Sequence, residues 1–213
     1  MKKWIAMLFA LCIFVLGASP ASAEKYDWQD ETYHFDQVKR VWVEDIVLTD
    51  TAEFPSELLD KLLPEEYRKN ASRLEDKLFT GKNTLSVKLD DPKSLSDVYV
   101  TAELLKWHDG SYIKPAYTSW ETRRSTRTVR RSDGSTYEEE YHTTVPVYHP
   151  EQLIYKSTVQ IRFDVYDTKT GAKILTRDEL RLRDDSRQEQ QGIFGRICKS
   201  FFDDLRKKLK HEE

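Results

Sequence analysis

An α+β fold is what this chain predicts: a mostly antiparallel sheet of about five to seven strands, helices packed on one face, and a long projecting β-hairpin. Three features carry that expectation. Leu153, Tyr155, Ser157, Val159, Ile161, Phe163 and Val165 are apolar or small at every second position, the period of a strand with one buried face. Ile193, Phe194, Ile197, Cys198, Phe201, Phe202, Leu205 and Leu209 instead recur at the one, three and four spacing of a single helix face. Ahead of both, Asp133-Gly134 separates two long polar arms, a strong hairpin signal.

The chain opens on MKKWIAMLFALCIFVLGASPASA. Lys2 and Lys3, an apolar run from Trp4 to Gly17 and the ending Ala21-Ser22-Ala23 have the layout of a secretory signal peptide cleaved after Ala23. Residues 1–23 are therefore expected to be removed on export across the cytoplasmic membrane, to the periplasm or beyond. Residues 24–213 are expected to form a single α+β domain in which 117–147 is the projecting hairpin. Cys12 lies inside the apolar run rather than at a lipoprotein cleavage point, so no lipid anchor is expected. Without Lys2 and Lys3 the 34 basic residues become 32 against 37 acidic ones, an acidic balance that argues against a nucleic-acid partner. Cys198 is then the lone cysteine, which excludes an internal disulfide and leaves stability to an apolar core.

Taken in order, Val38, Val41, Trp42, Val43, Ile46, Val47 and Leu48 predict a first buried strand. Pro55, Leu58, Leu59, Leu62 and Leu63 precede Pro64, whose fixed φ suits a helix start. Tyr67, Ala71, Leu74 and Leu78 then fall at steps of four, three and four, an amphipathic helix with Gly81 as its stop. Beyond Gly81 the period becomes two. Leu85, Val87 and Leu89 form one strand, and Val98, Val100, Ala102 and Leu104 another that ends near Trp107. Asp167-Thr168-Lys169-Thr170-Gly171 turns the longest strand into a partner carrying Ile174, Leu180 and Leu182. In the final helix, Cys198 is expected to be buried as a small apolar side chain, and Arg206, Lys207, Lys208 and Lys210 to complement the negative end of the helix dipole or meet an anionic surface.

Chemistry is sparsely signalled. Ser111-Tyr112-Ile113-Lys114, Ser132-Asp133-Gly134 and Lys169-Thr170-Gly171 echo the S-x-x-K, S-D-N and K-T-G order of penicillin-recognising serine hydrolases. Ser111 follows an Asp-Gly turn between strand patterns instead of opening a helix, the asparagine is missing, and K-T-G is itself a turn. His34, His108, His142, His149 and His211 form no ligand-spaced pair, and seven glycines make no phosphate loop. No catalytic residue, metal ligand or cofactor is expected. Tyr26, Trp28, Tyr112, Tyr117, Trp120, Tyr148 and Tyr155 are expected mostly to pack or sit in strands; exposed together, they would make a surface for cell-wall glycan or peptide.

Some stretches carry a resemblance. Tyr26-Asp27-Trp28, then Phe35-Asp36-Gln37-Val38-Lys39-Arg40-Val41-Trp42-Val43, Asp97-Val98-Tyr99-Val100-Thr101-Ala102 and DVYDTKTGAKIL from Asp164 to Leu175 resemble a family of uncharacterised bacterial envelope proteins, many of them lipoproteins. Two departures stand out: the lipobox cysteine is missing, and Thr176 follows Leu175 where the family has Trp. The resemblance implies a small sheet-and-helix domain like those of envelope assembly accessory proteins, with no activity to carry over. The functional expectation is thus an exported, non-enzymatic envelope protein acting by contact with another envelope protein.

The hairpin is where such contact is expected. A two-residue turn at Asp133-Gly134 would make facing residue numbers sum to 267, placing Arg127 opposite Glu140 and Val129 opposite Glu138. From Ser119 to Val147 five arginines meet Glu121, Asp133, Glu138, Glu139 and Glu140, so the local charge is zero and polyanion binding loses its basis. Arg123, Arg124, Arg127, Arg130, Arg131, Tyr137 and Tyr141 are the candidate partner-contact residues.

Overall fold

In a computed structural model, which describes residues 23–49, 61–79 and 92–210, the chain divides into two compact units. One comprises the segments before Ser111 and after Ile154; the other is Ser111–Ile154. Residues 1–22 of the expected signal peptide, Pro55, Leu58 and Leu59, Gly81, the Leu85–Leu89 strand and His211 lie outside the described residues.

The first unit is built on a seven-stranded sheet. Its strands are β1 (Ala23–Gln29), β2 (Val41–Val43), β3 (Val47–Leu48), β4 (Leu78–Phe79), β5 (Val98–Lys114), β8 (Gln152–Asp167) and β9 (Lys173–Asp185). Their order is β1-β9-β8-β5-β2-β4, with β3 also on β5. β1 and β8 flank β9 antiparallel, whereas β2 pairs parallel with both β4 and β5, and β3 pairs parallel with β5. Most paired residues are therefore antiparallel, as expected, but the sheet is mixed where the short strands β2, β3 and β4 join it. The reason lies in the route of the chain: the predicted strand Val38–Leu48 breaks into two short pieces about Glu44, Asp45 and Ile46, both laid along β5 in its own direction. Parallel neighbours need crossover connections, and the segment that leads into β4 includes a helix.

One face of the sheet is apolar. Val98, Val100, Ala102 and Leu104 of β5 and Val159, Ile161, Phe163 and Val165 of β8 are buried, as the alternation predicts. Onto them packs α2 (Gln190–Lys210), which buries all eight residues of the predicted stripe, Cys198 included. Phe163 stacks on Phe201 with ring centroids 4.0 Å apart, and Phe202 meets both rings edge-on. α1 (Leu63–Ala71) carries Pro64 in its first turn, as expected, and lies against α2, with Tyr67 tilted over Phe202 at 5.5 Å. It is shorter than its periodicity predicts. Ser72 turns its hydroxyl back to the Lys69 carbonyl at 2.7 Å, the chain tightens into a 3-10 turn over Ser72–Lys77, and Leu78 enters β4.

The β8–β9 turn forms as predicted. Gly171 has φ +70°, and Asp167 Oδ1 accepts from both the amide and the hydroxyl of Thr170. The partner strand differs from expectation: Leu182 faces solvent and Leu180 is only half-buried, while Arg177 and Glu179 occupy the inward row after Leu175. Directly paired residues share a face, so Arg177 opposite Phe163 and Glu179 opposite Ile161 must point into the core side. Two charged residues in that row defeat an alternation argument that counts only apolar positions.

The second unit contains a ribbon: β6 (Tyr117–Arg130) and β7 (Thr136–His149) pair antiparallel as a two-stranded sheet. Its register is one residue off the expected one, with facing numbers summing to 266. Arg127 faces Glu139, Val129 faces Tyr137, and Arg130 faces Thr136. The turn explains the shift. Arg131 N–H donates to Ser135 O at 2.7 Å and Gly134 N–H to Arg131 O at 3.0 Å, so the loop has three residues, with Gly134 at φ +88°. A tight turn closed by a left-handed glycine takes one residue more than the two-residue turn that Asp-Gly also encodes. Asp133 Oδ1, bonded to the amide and hydroxyl of Ser135, holds that loop.

Candidate functional site

The ribbon gathers the predicted contact residues and sorts them by face. Arg123 and Arg127 share one face with Tyr137 and Tyr141, while Arg124 and Arg130 lie on the other. Arg127 reaches Glu139 at 2.7–2.8 Å and lies over the Tyr141 ring at 5.7 Å. Arg131 lies over Tyr137 at 5.0 Å, and Arg124 pairs diagonally with Glu140. The arginines are thus largely engaged within the ribbon. These ion pairs are exposed and screened by solvent, so they set register and face more than stability.

Aromatic residues supply what the arginines do not. Trp120 is 70% exposed and Tyr148 is 68% exposed, on the same face and diagonal to each other across the strands. Tyr117 stacks on His149 at 4.4 Å on the opposite face, where the Ser119 hydroxyl bonds His149 Nε2 at 2.7 Å. Of the seven aromatics expected mostly to be packed, only Tyr155 is not exposed. The reason is that the ribbon has no helix or second sheet of its own unit against which to bury a face, and β1 is an edge strand.

The ribbon's edges are also unequal. The bonded pair Arg131–Ser135 makes odd-numbered pairs the hydrogen-bonded ones, so even-numbered residues turn their main-chain groups outward. Pro146 is even-numbered. Its missing N–H interrupts the outer edge of β7 without disturbing the ladder, whereas β6 presents an edge from Thr118 to Arg130 with no proline in it.

In the sheet unit, the polar feature outside sequence reasoning is the group around Arg177. Its Nε donates to Asp27 Oδ1 at 2.6 Å and its Nη2 to Asp204 at 3.0 Å, Lys25 bridges the same carboxylates, and Nη1 is buried without a partner. Burial alone would raise the Asp27 carboxyl, but hydrogen bonds from Arg177 and Lys25 prevail and hold it below the usual range. Glu179 is buried beside it, with Oε1 bonded to Arg181 at 2.6 Å and Oε2 unpartnered. A cleft of about 360 Å³ borders this group, and a larger one of about 900 Å³ lies between α1 and the start of α2. Cations and anions interleave along both.

The residues of the hydrolase-like motifs sit in the wrong elements for that chemistry. Ser111 and Lys114 lie three apart on β5, so their side chains leave a strand on opposite faces; Lys169-Thr170-Gly171 is the β8–β9 turn. Among the described residues no group of histidine, cysteine, aspartate and glutamate is placed to hold a metal ion. No described helix is long and apolar enough to cross a membrane.

The class these features define is an α+β protein with a mixed sheet, a long helix against one face, and an exposed antiparallel ribbon. No family model matches the chain, and no curated protein does. Solved structures similar to it include the PelC dodecamer from Paraburkholderia phytofirmans, at 10% identity over 87% of this chain and 98% of that one, with a TM-score of 0.45. A substituted PelC from the same organism matches at 11% identity, the same coverage and the same TM-score. A DUF4136 family protein from Bacteroides thetaiotaomicron matches at 10% identity over 89% and 98% of the two chains, with a TM-score of 0.44. These are likenesses in the course of the chain, and no residue role is carried over from them.

Proposed function

We propose that the chain is an exported, non-enzymatic bacterial envelope protein that acts by contact, with the ribbon of β6 and β7 as the element that meets a protein partner. The observation that carries this reading is the ribbon's surface: two large aromatic side chains, Trp120 and Tyr148, stand open to solvent beside the unbroken outer edge of β6. Aromatic side chains bring large contact area at low entropic cost, and a free strand edge offers main-chain hydrogen bonds to an incoming strand. The arginines pair within the ribbon, on Glu139, Glu140, Tyr137 and Tyr141, and leave Trp120 and Tyr148 open to bind.

The test is photo-crosslinking in cells from a benzophenone amino acid at Trp120, with a second probe at exposed Lys169 in the sheet unit as control. A discrete protein adduct from position 120, absent from position 169, is the expected result. Efficient labelling of glycan strands instead would favour a cell-wall ligand. Recovery of the chain from the cytoplasm with residues 1–23 intact would overturn the export half of the proposal.

A further inference from the structure

β1 is the first edge of the sheet: it pairs with β9 and with no other described strand, and all of its residues except Gln29 are exposed. The amide of Asp30 donates to Ile174 O at 2.9 Å. In an antiparallel pair, residues alternate between bonding inward and outward. Trp28, Tyr26 and Glu24 therefore bond β9, and Gln29, Asp27 and Lys25 turn their main-chain groups to the open side. An exposed edge of this kind is a template for another strand, and natural edges are ordinarily blunted by charge. Here the charges are arranged differently. Lys25 and Asp27 lie one on each side of Tyr26, on the same face, 2.9 Å apart at their charged ends.

We infer that β1 is a self-recognition edge, which pairs antiparallel with β1 of a second copy of this chain about a twofold axis at Tyr26. That register sets Lys25 opposite the partner's Asp27 and Asp27 opposite the partner's Lys25, as hydrogen-bonded pairs. The two registers that shift it by one repeat fail on charge. One sets Lys25 against the partner's Lys25, the other sets Asp27 against the partner's Asp27, and like charges directly opposite are destabilising. The twofold makes both contacts equivalent, as an isologous dimer requires. On the other face, Tyr26 meets the partner's Tyr26 as a non-hydrogen-bonded pair, where side chains approach most closely, and Trp28 lies opposite the partner's Glu24. Tyr26 and Trp28, 62% and 42% exposed, are covered in this arrangement. Alternating charge thus acts as a register selector rather than as a guard.

Single cysteines read the register directly. Cα atoms of a non-hydrogen-bonded pair lie about 4.5 Å apart, within disulfide range. Tyr26→Cys is expected to oxidise to a disulfide-linked dimer in the purified chain, while Glu24→Cys and Trp28→Cys alone stay monomeric on non-reducing gels and cross-link when mixed. Cys198 is buried and does not compete. An uncoupled Tyr26→Cys, or Glu24→Cys coupling to itself as readily, overturns the inference. Sedimentation of Lys25→Pro supplies an independent check, because it removes an outward N–H and leaves the β9 ladder intact. A dimer dissociation constant raised about tenfold or more in the folded variant supports the pairing; an unchanged dimer rejects it. Should Lys25→Pro fail to fold, the cysteine set decides alone.

Discussion

The core face of the sheet and the ribbon are written in the same two-residue period, yet they have opposite physical consequences. In β8, every second side chain from Ser157 to Val165 is lost from solvent. In β6 and β7, no residue is fully buried on either face. Burying apolar area is the dominant favourable term in folding, so stability resides in the sheet unit, while the ribbon contributes a charged, solvent-facing surface. Alternation alone marks a strand; the partner layer decides whether it becomes core or surface.

The sharpest way to test that contrast is at Phe163. Truncating it to Ala removes a ring stacked on Phe201 and touched edge-on by Phe202, at an expected cost of about 3–5 kcal/mol. Val145→Ala in the ribbon should cost less than about 0.5 kcal/mol. Urea denaturation of the two variants measures both, and similar losses would dissolve the distinction between the units.

Next in size is the charged row inside the sheet unit. Arg177→Ala removes hydrogen bonds to two carboxylates and the cover over Phe201, and is expected to cost about 2 kcal/mol. It also changes the response to acid. The Asp27 carboxyl is held below its ordinary value in the folded state, so the stability it contributes is present above the unfolded value near 4 and is lost as pH falls through the folded one. Melting profiles between pH 2 and pH 7 should therefore show a steeper acid loss for the natural chain than for Arg177→Ala. Equal slopes would mean that Arg177 does not hold the Asp27 charge.

That row also marks where sequence reading stops. The eight apolar positions of α2 and the alternations of β5 and β8 are legible because a helix face and a strand face each repeat with a single period, and burial follows the repeat. β9 is not legible in the same way. Its inward positions include Arg177 and Glu179, which become tolerable there only through Asp27 of β1, Asp204 of α2 and Arg181, none predictable as neighbours from spacing. The parallel placement of β2 and β3 is hidden for a similar reason, since strand direction depends on the crossover and not on the strand's own residues. For the candidate site, the existence of the hairpin and its arginines could be read. Which aromatics stay uncovered could not, because exposure depends on whether another layer arrives.

Gly134 is the intermediate test, and its effect should stay local. At φ +88° an alanine is strained by about 1 kcal/mol. Because the ribbon carries little of the global stability, urea denaturation of Gly134→Ala should barely move. Faster amide exchange at Arg131 and Gly134, the two N–H groups that close the loop, is the expected signature. Exchange quickening equally in α2 would show that the ribbon and the sheet unit unfold as one.

Arg127 gives the smallest expected effect on stability and the most direct information about the ribbon's role. Its guanidinium joins Glu139 to the Tyr141 ring on one face, and both partners remain accessible to water after truncation. Arg127→Ala should therefore leave the urea midpoint nearly where it is, and any small shift should vanish in high salt. If the ribbon binds through its aromatics and the edge of β6, crosslinking from position 120 should survive this substitution and fall with Tyr148→Ala, which removes the exposed neighbour on the same face. The reverse pattern, adducts lost with Arg127 and kept without Tyr148, would transfer recognition from the aromatic surface to the guanidinium.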